Sequence, residues 1–469
     1  MKSVLLVQGD ARAIPLRDKS VHMVCTSPPF WGLRQYQGVA PSLWGGDPTC
    51  QHIWSTVPVR KRGHPGDRST LIGTQTAHLS KDAGMQGQTC TRCGGWQGTL
   101  GNEALHDCLA WARWEVPCAA CFVCHLLQVM REVWRVLRDD GTLWLSLGDS
   151  MAGSSMAGGV GNGTINGTQH GNRKKHDIRF NAMHKTHLPS KNLCMIPARI
   201  ALALQADGWV LRSDIIWACP NKMPESVQDR PSRSYEHIFL FAKSPHYFFD
   251  AVAIAEPATG GFNGSSFTSA YDRATKSGLG EGERVERMTR NARDVWTFPT
   301  SPFAGEHYAA FPPELARRCI LAGTSAAGCC PQCQAPWIRQ VESHSIALRP
   351  HSDSLRGHTP SASRAGGQAQ RGSMLASHYT TSWMPACACD TGKPQPCVVF
   401  DPCAGSGTTG LVARALGRQA VLCDLSYPYL HDQARHRLQL DAMAAWEGRN
   451  GHHAATDYAD LPLFGGVTP

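Results

Sequence analysis

The stretch CVVFDPCAGSGTTGLVARALGRQAVLCDL, residues 397–425, restricts the possible folds more than any other part of the chain. An apolar segment ends at Asp401, a glycine-rich turn follows, and apolar residues at helical spacing lead to a second apolar segment. We therefore predict a strand, a turn, a helix and a strand in that order. Because a helix joining two neighbouring strands makes them parallel, this unit predicts an α/β fold with a mostly parallel sheet.

The same alternation recurs through the chain, where strand-like apolar segments are separated by segments of helical periodicity. The predicted strands are SVLLVQ, SVHMVCTS, TLWLSLG, WVLRSDIIWA and HIFLFAKS, and the predicted helices are Leu126–Leu137, IPARIALALQADG and about Pro428–Trp446. Asp139, Asp140 and Gly141 are expected to end the first of these helices. We expect the helices to cover both faces of the sheet.

The lengths of the apolar runs argue against a membrane-spanning protein. No apolar run approaches the ~20 residues of a membrane span, and the start MKSVLLVQGDARAIPL lacks a signal-peptide pattern. We therefore expect a cytoplasmic protein with no membrane partner. The net charge of +9 fits a polyanionic partner, but it fits ordinary solubility equally well.

The glycine-rich turn has the features of a ligand-binding loop. Gly405 and Gly407 permit tight backbone conformations and allow a ligand to approach the main chain. The helix that follows offers free N–H groups to an anionic group, and Asp401 can meet a cationic one. Asp424, at the end of the next strand, can bind both hydroxyls of a ribose. The G-x-G-x-x-G spacing of dinucleotide folds is also met if Gly410 is counted, so the turn alone leaves both classes open.

A second unusual stretch, VHMVCTSPPFWGLRQY at residues 21–36, ends a predicted strand in two prolines and two aromatic residues. DPCAGSGTTG together with TSPPF resembles the amino-methylating, S-adenosylmethionine-dependent DNA methyltransferases, which modify cytosine N4 or adenine N6. The Pro-Pro motif precedes the glycine loop, which is similar to the permuted β-type motif order of that family. Further matching stretches are GDA (9–11), SDIIWACPNKMPES (213–226), DRPSRSYEHIFLFAKSPHYFFD (229–250) and HYAAFPPEL (307–315).

The resemblance implies a Rossmann-like methyltransferase fold, S-adenosylmethionine as cofactor and double-stranded DNA as partner. The catalytic residues it implies are Ser27, Pro28, Pro29 and Phe30. The cofactor-binding residues expected from the turn and the resemblance are Asp10, His307, Phe311, Pro312, Asp401, Pro402, Ala404, Gly405, Ser406, Gly407, Thr408 and Asp424.

The Pro-Pro corner suits transfer to the exocyclic amine of a flipped base. The Ser27 hydroxyl and the Pro28 carbonyl can accept hydrogen bonds from that amine, the prolines hold them in place, and Phe30 can stack on the base. Trp31 and Tyr36 are candidates for the base pocket or for core packing. In the family, Ser in place of Asp favours cytosine N4, with adenine N6 as the alternative. Methylation of RNA or protein is disfavoured because Asn-Pro-Pro-Tyr is absent.

Nineteen cysteines in a protein expected in a reducing compartment indicate metal binding. Two candidate sites for a structural zinc ion each combine paired ligands around a long loop: Cys50, His52, Cys90 and Cys93 in one, and Cys330, Cys333, Cys387 and Cys389 in the other. Cys329 adjoins Cys330, which leaves the choice between them open. Cys108, Cys118, Cys121 and Cys124 form a third candidate set, with buried unpaired thiols as the alternative. A catalytically inactive, zinc-containing DNA-binding protein is the function of another class; the intact motifs argue against it.

The domain organisation follows from these motifs and from the segments that interrupt the strand–helix alternation. The predicted divisions are 1–44 (catalytic part), 45–125 (Cys-rich insertion), 126–255 (methyltransferase domain with a basic loop at 151–190), 256–292 (target recognition), 293–325 (cofactor-closing segment), 326–395 (zinc-ribbon-like insertion), 396–446 (cofactor-binding part) and 447–469 (tail). The basic loop carries Arg173, Lys174, Lys175, Arg179 and Lys185, and either contacts phosphates or is a solvated loop. A cognate restriction enzyme is a candidate partner, and a monomer or homodimer encoded by a bacterium or phage is expected.

Overall fold

Contacts within the computed structural model divide the chain into two units. The sheet unit comprises Met1–Phe248, Asp294–Gly323 and Pro396–Pro469, and the hairpin unit comprises Phe249–Arg293 and Thr324–Gln395. The structure describes residues 4–31, 39–54, 87–105, 118, 120–152, 186, 188–189, 191–222, 224–257, 289–301, 311–347, 374–390 and 392–440. The predicted basic-loop residues, the tail 447–469 and most of the segment 256–292 lie outside this described part.

The strands of the described residues are, in chain order, β1 (Val4–Gln8), β2 (Val21–Thr26), β3 (Ser42–Trp44), β4 (Gln88–Thr89), β5 (Trp96–Gly98), β6 (Leu137–Leu147), β7 (Val210–Ala218), β8 (Tyr235–Ala242), β9 (Glu256–Pro257), β10 (Thr289–Arg290), β11 (Val295–Thr297), β12 (Trp337–Ala347), β13 (Met374–Pro385), β14 (Val398–Asp401) and β15 (Gln419–Asp424). The helices are α1 (Phe122–Val136), α2 (Ile196–Ala206), α3 (Pro313–Gly323), α4 (Thr408–Ala415) and α5 (Arg435–Arg437), with a 3₁₀ turn at Val252–Ile254 and a π-helical turn at Tyr429–Ala434.

Eight strands form one sheet in the order β1-β15-β14-β2-β6-β8-β7-β11. All neighbours are parallel except β8, which is antiparallel to both β6 and β7. The late strand β14 lies between β15 and the early strand β2, with Phe400 opposite Val24. The carboxyl ends of β1, β2, β14 and β15 therefore meet at one edge, where ligands bind in open α/β sheets.

Helices cover both faces of this sheet. The connection β2–α1–β6 runs in one direction across the sheet, and β14–α4–β15 runs in the other. Because parallel crossovers are right-handed, α1 and α4 lie on opposite faces. Helix α2 packs against α1, and α3 packs against α4. The predicted α/β class, with a mostly parallel sheet and helices on both faces, is confirmed.

Helix α1 supplies much of the core. Ten of its fifteen side chains are buried and form a wide apolar face, whereas the remaining face is mostly polar and includes exposed Arg131. Full burial of an aliphatic side chain such as Leu126 or Val133 contributes about 1.5–3 kcal/mol.

The helix ends at Val136, one residue before the predicted end, and β6 begins directly after it with buried Leu137 opposite Val21 of β2. The predicted turn at residues 139–141 lies within β6, where the β2–β6 ladder is irregular between this pair and the pair Thr142–Met23.

The remaining strands form small sheets. Strands β3, β5 and β4 make a three-stranded sheet in the sheet unit. In the hairpin unit, β12 and β13 form a long antiparallel pair in which Trp337 lies opposite Pro385. Arg339 of this pair makes a salt bridge to buried Asp250, with the closest N–O distance 2.7 Å.

The predicted final helix differs from the structure. Within the described residues it begins as the π-helical turn and continues as α5, and the chain from residue 441 lies outside them. The wider π turn brings Tyr429 to the cleft at the sheet edge described below, as such turns often do at functional sites. Among the described helices, none combines the length and the apolar character needed to cross a bilayer.

Candidate active site

A cleft opens at the edge where the carboxyl ends of β1, β2, β14 and β15 meet. It has about 1000 Å³ of space, part of it open to solvent. Its lining residues come from the strand ends, the segment 39–44, the Cys-rich insertion, helix α1, the residues before α3, the glycine turn and the π-helical turn: Gly9, Asp10, Ala11, Ser27, Pro28, Pro29, Phe30, Val39, Trp44, Thr99, Leu100, Val129, Phe311, Pro402, Cys403, Ala404, Gly405, Ser406, Thr408, Asp424, Leu425 and Tyr429. The two motifs singled out in the sequence thus face one cleft.

The glycine turn forms one wall of the cleft. Gly405 has φ +50° and Gly407, which precedes α4, has φ +76°, a region that favours glycine. A Cβ on Gly407 would lie 3.0 Å from the Cβ of Ala434. Gly407 is not among the lining residues; its missing side chain allows the turn to pack closely on the π-helical segment.

The hydroxyl groups of Ser406 and Thr408 in this wall are hydrogen-bonded by a residue outside the cleft lining. Arg437 donates hydrogen bonds to Ser406 Oγ at 3.0 Å and to Thr408 Oγ1 at 2.7 Å. Burial lowers the pKa of the Arg437 guanidinium. The contact joins α5 to the turn and orients both hydroxyls, a role that no local sequence pattern indicates.

Asp424 is the carboxylate best placed for a ligand in this part of the cleft. Its Oδ2 accepts the Gly405 N–H at 2.8 Å, and its Oδ1 accepts the Ser426 N–H at 2.8 Å. Burial raises the pKa of Asp424, while these backbone hydrogen bonds oppose the shift. The carboxylate is thus fixed at the end of β15 with acceptor capacity left for hydroxyl donors.

Asp401 occupies a different environment. Only 1% of it is exposed and it does not line the cleft. Its Oδ2 accepts the Thr409 hydroxyl at 2.7 Å, and its Oδ1 accepts the Cys403 N–H at 3.1 Å. Burial raises the pKa of Asp401 to about 6. In the structure this carboxyl ties the end of β14 to α4 beneath the turn.

Asp10 faces the cleft from the end of β1 and is already paired. Arg12 donates to both carboxylate oxygens, with Nη2–Oδ2 at 2.5 Å and Nε–Oδ1 at 3.0 Å. The same guanidinium lies over the Trp44 ring, 4.1 Å from its centroid. Trp44 was not predicted as a site residue; its indole nitrogen is buried and has no hydrogen-bond partner among the described residues.

The Pro-Pro corner faces the glycine turn across the cleft. Ser27, Pro29 and Phe30 are half-buried and Pro28 is buried. The Phe30 ring lies against Gly148, where an added Cβ would come within 2.7 Å of ring carbon Cε2. One face of the ring is therefore backed by the main chain after β6, and only glycine fits there.

A buried acid–histidine pair, missed in the sequence, lies next to this corner. Glu103 Oε1 and His125 Nδ1 are 2.9 Å apart and both side chains are fully buried. Glu103 also accepts the Gly101 N–H at 2.7 Å, and its carbonyl accepts the Trp31 indole N–H at 2.9 Å. Trp31 is 1% exposed, which favours the core-packing interpretation of this residue.

Gly101, which is hydrogen-bonded to Glu103, packs closely against the Pro-Pro corner. A Cβ on Gly101 would lie 3.3 Å from both the Phe30 carbonyl oxygen and the Pro29 Cβ. A buried Glu–His pair carries no signal in local sequence periodicity. It becomes recognisable only when the insertion is folded against α1.

The segment predicted to close over the cofactor is only partly described. Phe311 lines the cleft, whereas Pro312 is buried just before α3 and does not. His307 and Tyr36 lie outside the described residues. The predicted roles of all three family-derived residues, His307, Phe311 and Pro312, therefore stay predictions.

The first predicted zinc set is brought together in the sheet unit. The ligand atoms of Cys50, His52, Cys90 and Cys93 all lie within 4.8 Å of one another. Cys93 Sγ is 3.4 Å from His52 Nδ1. Cys90 and Cys93 occupy the turn between β4 and β5, and Cys90 pairs with Trp54 in an isolated bridge. Three cysteine sulfurs and one imidazole nitrogen converging in this way suit a tetrahedral Zn²⁺.

The second set lies in the hairpin unit. Cys330 and Cys333 precede β12, and Cys387 and Cys389 follow β13. Because Trp337 pairs with Pro385, the two cysteine pairs meet at the open end of the hairpin. Their four sulfurs lie within 4.8 Å of one another, which identifies Cys330, rather than Cys329, as the member of this set.

Comparison with known proteins identifies one family. The family model described as DNA methylase matches residues 21–329. M.XycI, a type II methyltransferase of Xanthomonas campestris pv. cyanopsidis, is 44% identical over 204 residues, 43% of this chain and 56% of that protein. M.Cfr9I of Citrobacter freundii, also a type II methyltransferase, is 40% identical over 213 residues, with the same coverage of 43% and 56%. The chain thus spans just over half the length of these curated relatives.

A solved structure of the PvuII DNA methyltransferase, which is cytosine-N4-specific, is also similar. It covers 92% of this chain and 84% of its own, with a TM-score of 0.41 and 12% sequence identity.

Proposed function

The chain belongs to the N6/N4 family of DNA methylases, and we propose that it transfers a methyl group from S-adenosylmethionine to the exocyclic N4 of cytosine in a specific DNA sequence. One observation carries this proposal. The Ser27–Phe30 corner and the glycine turn at Gly405, at opposite ends of the chain, line the same cleft. Acceptors for an amine and a loop for a nucleoside cofactor are what amine methylation requires.

The residues of the cleft fit S-adenosylmethionine. Asp424 suits the ribose hydroxyls, and Asp10 suits the adenine or another donor group at the end of β1. Gly405, Ser406 and Thr408 offer main-chain and hydroxyl groups to the methionine end, next to the start of α4. Pro402 and Ala404 supply apolar contacts, and Phe311 closes the opposite side. Bound there, S-adenosylmethionine supplies an electrophilic methyl group.

The protein's own part in the reaction is positioning. A base cannot be reached inside a duplex, so the target cytosine is flipped into the cleft. The Ser27 hydroxyl and the Pro28 carbonyl accept hydrogen bonds from its amino group, which frees the nitrogen lone pair from the ring. Pro28 and Pro29 hold these acceptors before the base arrives, so little reorganisation is needed. Phe30 offers its free face for stacking, worth ~1–3 kcal/mol.

The choice of cytosine rests on Ser27. Adenine N6 is the second candidate, because the family model covers both kinds of target. The deciding experiment incubates the full chain with isotope-labelled S-adenosylmethionine and duplex DNA, digests the DNA to nucleosides and identifies the labelled one by mass spectrometry. We expect N4-methylcytosine. Labelled N6-methyladenine would refute the choice of base, and DNA binding without labelled product would favour the inactive DNA-binding protein.

Two structural zinc ions complete the proposal. Cys50, His52, Cys90 and Cys93 hold one, and Cys330, Cys333, Cys387 and Cys389 hold the other. Each set fills all four positions of a tetrahedral ion, so neither leaves room for a catalytic water. Zinc binding would supply folding free energy to segments that contain few apolar residues.

Double-stranded DNA is the proposed partner. The basic loop around Arg173 and Lys174 is proposed to contact phosphates, and the segment 256–292 to read the sequence. A cognate restriction enzyme is a proposed partner in the cell, and the active form is a monomer or a homodimer. Sequencing of genomic DNA that detects modified bases, from cells expressing the chain, would identify the recognition sequence.

A further inference from the structure

Three cysteine sulfurs converge where the Cys-rich insertion joins the core. Cys118, Cys121 and Cys124 each offer a sulfur atom, and all three sulfurs lie within 4.8 Å of one another. Cys121 and Cys124 are fully buried, and Cys118 is half-buried. The spacing C-x2-C-x2-C brings them together because Cys121 is the N-cap of α1 and Cys124 lies in its first turn.

The local geometry suits a thiolate. The Cys121 sulfur accepts the backbone N–H of Cys124 at 3.4 Å, as thiolate ligands commonly do. Both residues lie at the N-terminus of a fifteen-residue helix, whose partial positive charge opposes the rise in thiol pKa that hydrogen bonding to the neighbouring cysteines and burial cause. The neighbouring His125 is engaged elsewhere, through the bond between its Nδ1 and Glu103.

The separations favour one ion over a cluster of several. Sulfurs bound at about 2.3 Å to one tetrahedral zinc lie about 3.8 Å apart, which is compatible with the observed limit of 4.8 Å. Cysteines that bind different iron atoms of an iron–sulfur cluster must lie farther apart. Thiolates also select zinc over the harder cations magnesium and calcium.

We propose that Cys118, Cys121 and Cys124 bind a third Zn²⁺ ion through three thiolates. Each thiol loses its proton to solvent as its sulfur binds, and no oxidation or reduction occurs. The fourth position of the tetrahedron is left for a further ligand; Cys108, the fourth cysteine of the predicted set, lies outside the described residues. This site is separate from the two four-ligand sets of the proposed function, and it does not depend on methyl transfer.

An ion at this position would stabilise the chain segment that packs behind the Pro-Pro corner. The Phe122 N–H, next to Cys121, donates to the Ala104 carbonyl at 3.1 Å, and Ala104 pairs with Cys121 in a parallel bridge. Ala104 directly follows Glu103, which holds Gly101 against Pro29. A zinc ion at the start of α1 would therefore anchor the strip of chain that supports the Pro-Pro corner.

The test is the metal content of the full chain, measured by elemental analysis after purification without chelators. Cys118→Ser is the main variant because its half-buried side chain can be replaced with little risk to folding, and Cys121→Ser is the second. Cys219→Ser is the matched control: Cys219 is buried, lies outside all the clusters and donates to the Trp217 carbonyl, which serine can also do. We expect wild type and Cys219→Ser to carry one zinc equivalent more than Cys118→Ser and Cys121→Ser.

Three results would overturn the proposal. The first is equal zinc content in wild type and in a folded Cys118→Ser protein. The second is a disulfide between any two of the three cysteines in the freshly purified chain. The third is iron with acid-labile sulfide, lost in the same variants. Zinc at the other two sets cancels in the comparison, and no DNA or S-adenosylmethionine is needed. The result therefore stands whether or not the chain methylates cytosine.

Discussion

Replacing Asp401 by asparagine should change how the stability of the protein depends on pH. In the folded state burial raises the pKa of Asp401 to about 6, whereas an unfolded aspartate titrates near 3.9. The folded state therefore binds more protons at this residue than the unfolded state between about pH 4 and pH 6. Stability must fall as the pH rises through this window, because ionisation is easier in the unfolded chain.

The size of the effect follows from the shift. A change of about two pKa units corresponds to about 3 kcal/mol of unfolding free energy above pH 6. Asparagine cannot ionise and has nearly the same shape. Its oxygen can still accept the Cys403 N–H, and the Thr409 hydroxyl can donate instead to the Cys25 carbonyl, which lies 3.3 Å away. The variant should therefore lose the pH-dependent cost while keeping its packing.

The assay is urea unfolding of wild type and Asp401→Asn at intervals from pH 4.5 to pH 7.5. Other titrating groups contribute equally to both proteins, so the difference between the two unfolding free energies isolates this residue. We expect the unfolding free energy of Asp401→Asn to increase relative to that of wild type as the pH rises, by up to about 3 kcal/mol over the whole titration.

Parallel curves for the two proteins would refute the reasoning, because they would mean that Asp401 titrates alike in both states. The same variant tests the residue's role at the site. Since Asp401 does not line the cleft, Asp401→Asn should bind S-adenosylmethionine with little change in Kd. A large loss of S-adenosylmethionine affinity would instead support the original prediction that Asp401 binds the cofactor.

Three further predictions concern the cleft. Phe30→Ala should lower kcat/KM for DNA roughly 5- to 150-fold, the equivalent of ~1–3 kcal/mol of lost stacking, while leaving the Kd for S-adenosylmethionine unchanged in calorimetry. Gly407→Ala should weaken S-adenosylmethionine binding, because its Cβ would push the turn away from Ala434. Glu103→Gln should lower kcat more than it changes the KM for S-adenosylmethionine, because an amide replaces the carboxyl group that holds both Gly101 and His125 beside the Pro-Pro corner.

Each of these has a matched control or a contrary outcome. Gly417→Ala has a similar φ of +74° but open space around its Cβ, so it shares the backbone strain of Gly407→Ala without the contact. Equal loss of cofactor affinity in both glycine variants would contradict the contact argument. The control for Phe30→Ala is Phe249→Ala: Phe249 is exposed and does not line the cleft, so its replacement should leave methylation intact. A Glu103→Gln protein that is destabilised yet has wild-type kcat would reduce the Glu103–His125 pair to a structural role.

Much of the fold could be predicted from local patterns. Alternating strands and helices, the glycine turn and the Pro-Pro corner are encoded in short stretches, because apolar periodicity and φ restrictions act over a few residues. The residues at which helices and strands begin and end were predicted less accurately. Leu137 already pairs with Val21, so the strand begins before Asp139, Asp140 and Gly141, and these residues produce an irregularity in the ladder instead of separating the helix from the strand.

Only the tertiary structure decided which side chains share the cleft. Asp401 and Asp424 both end strands beside the turn, yet burial under α4 takes the first out of the cleft and leaves the second at its wall. Thr99 and Leu100 reach the cleft from the Cys-rich insertion, and Trp44 reaches it from the residue just before that insertion.

The sequence by itself thus determined the family, the two motifs and the cysteine pairs, because these depend on residue type and short spacing. The tertiary structure decided the support behind them: the Glu103–His125 pair, the bonds from Arg437 and the meeting of three sulfurs at the start of α1. The physical reason is that these contacts join distant segments. Their energies depend on how the sheet, the helices and the insertion pack, and no local pattern records that packing.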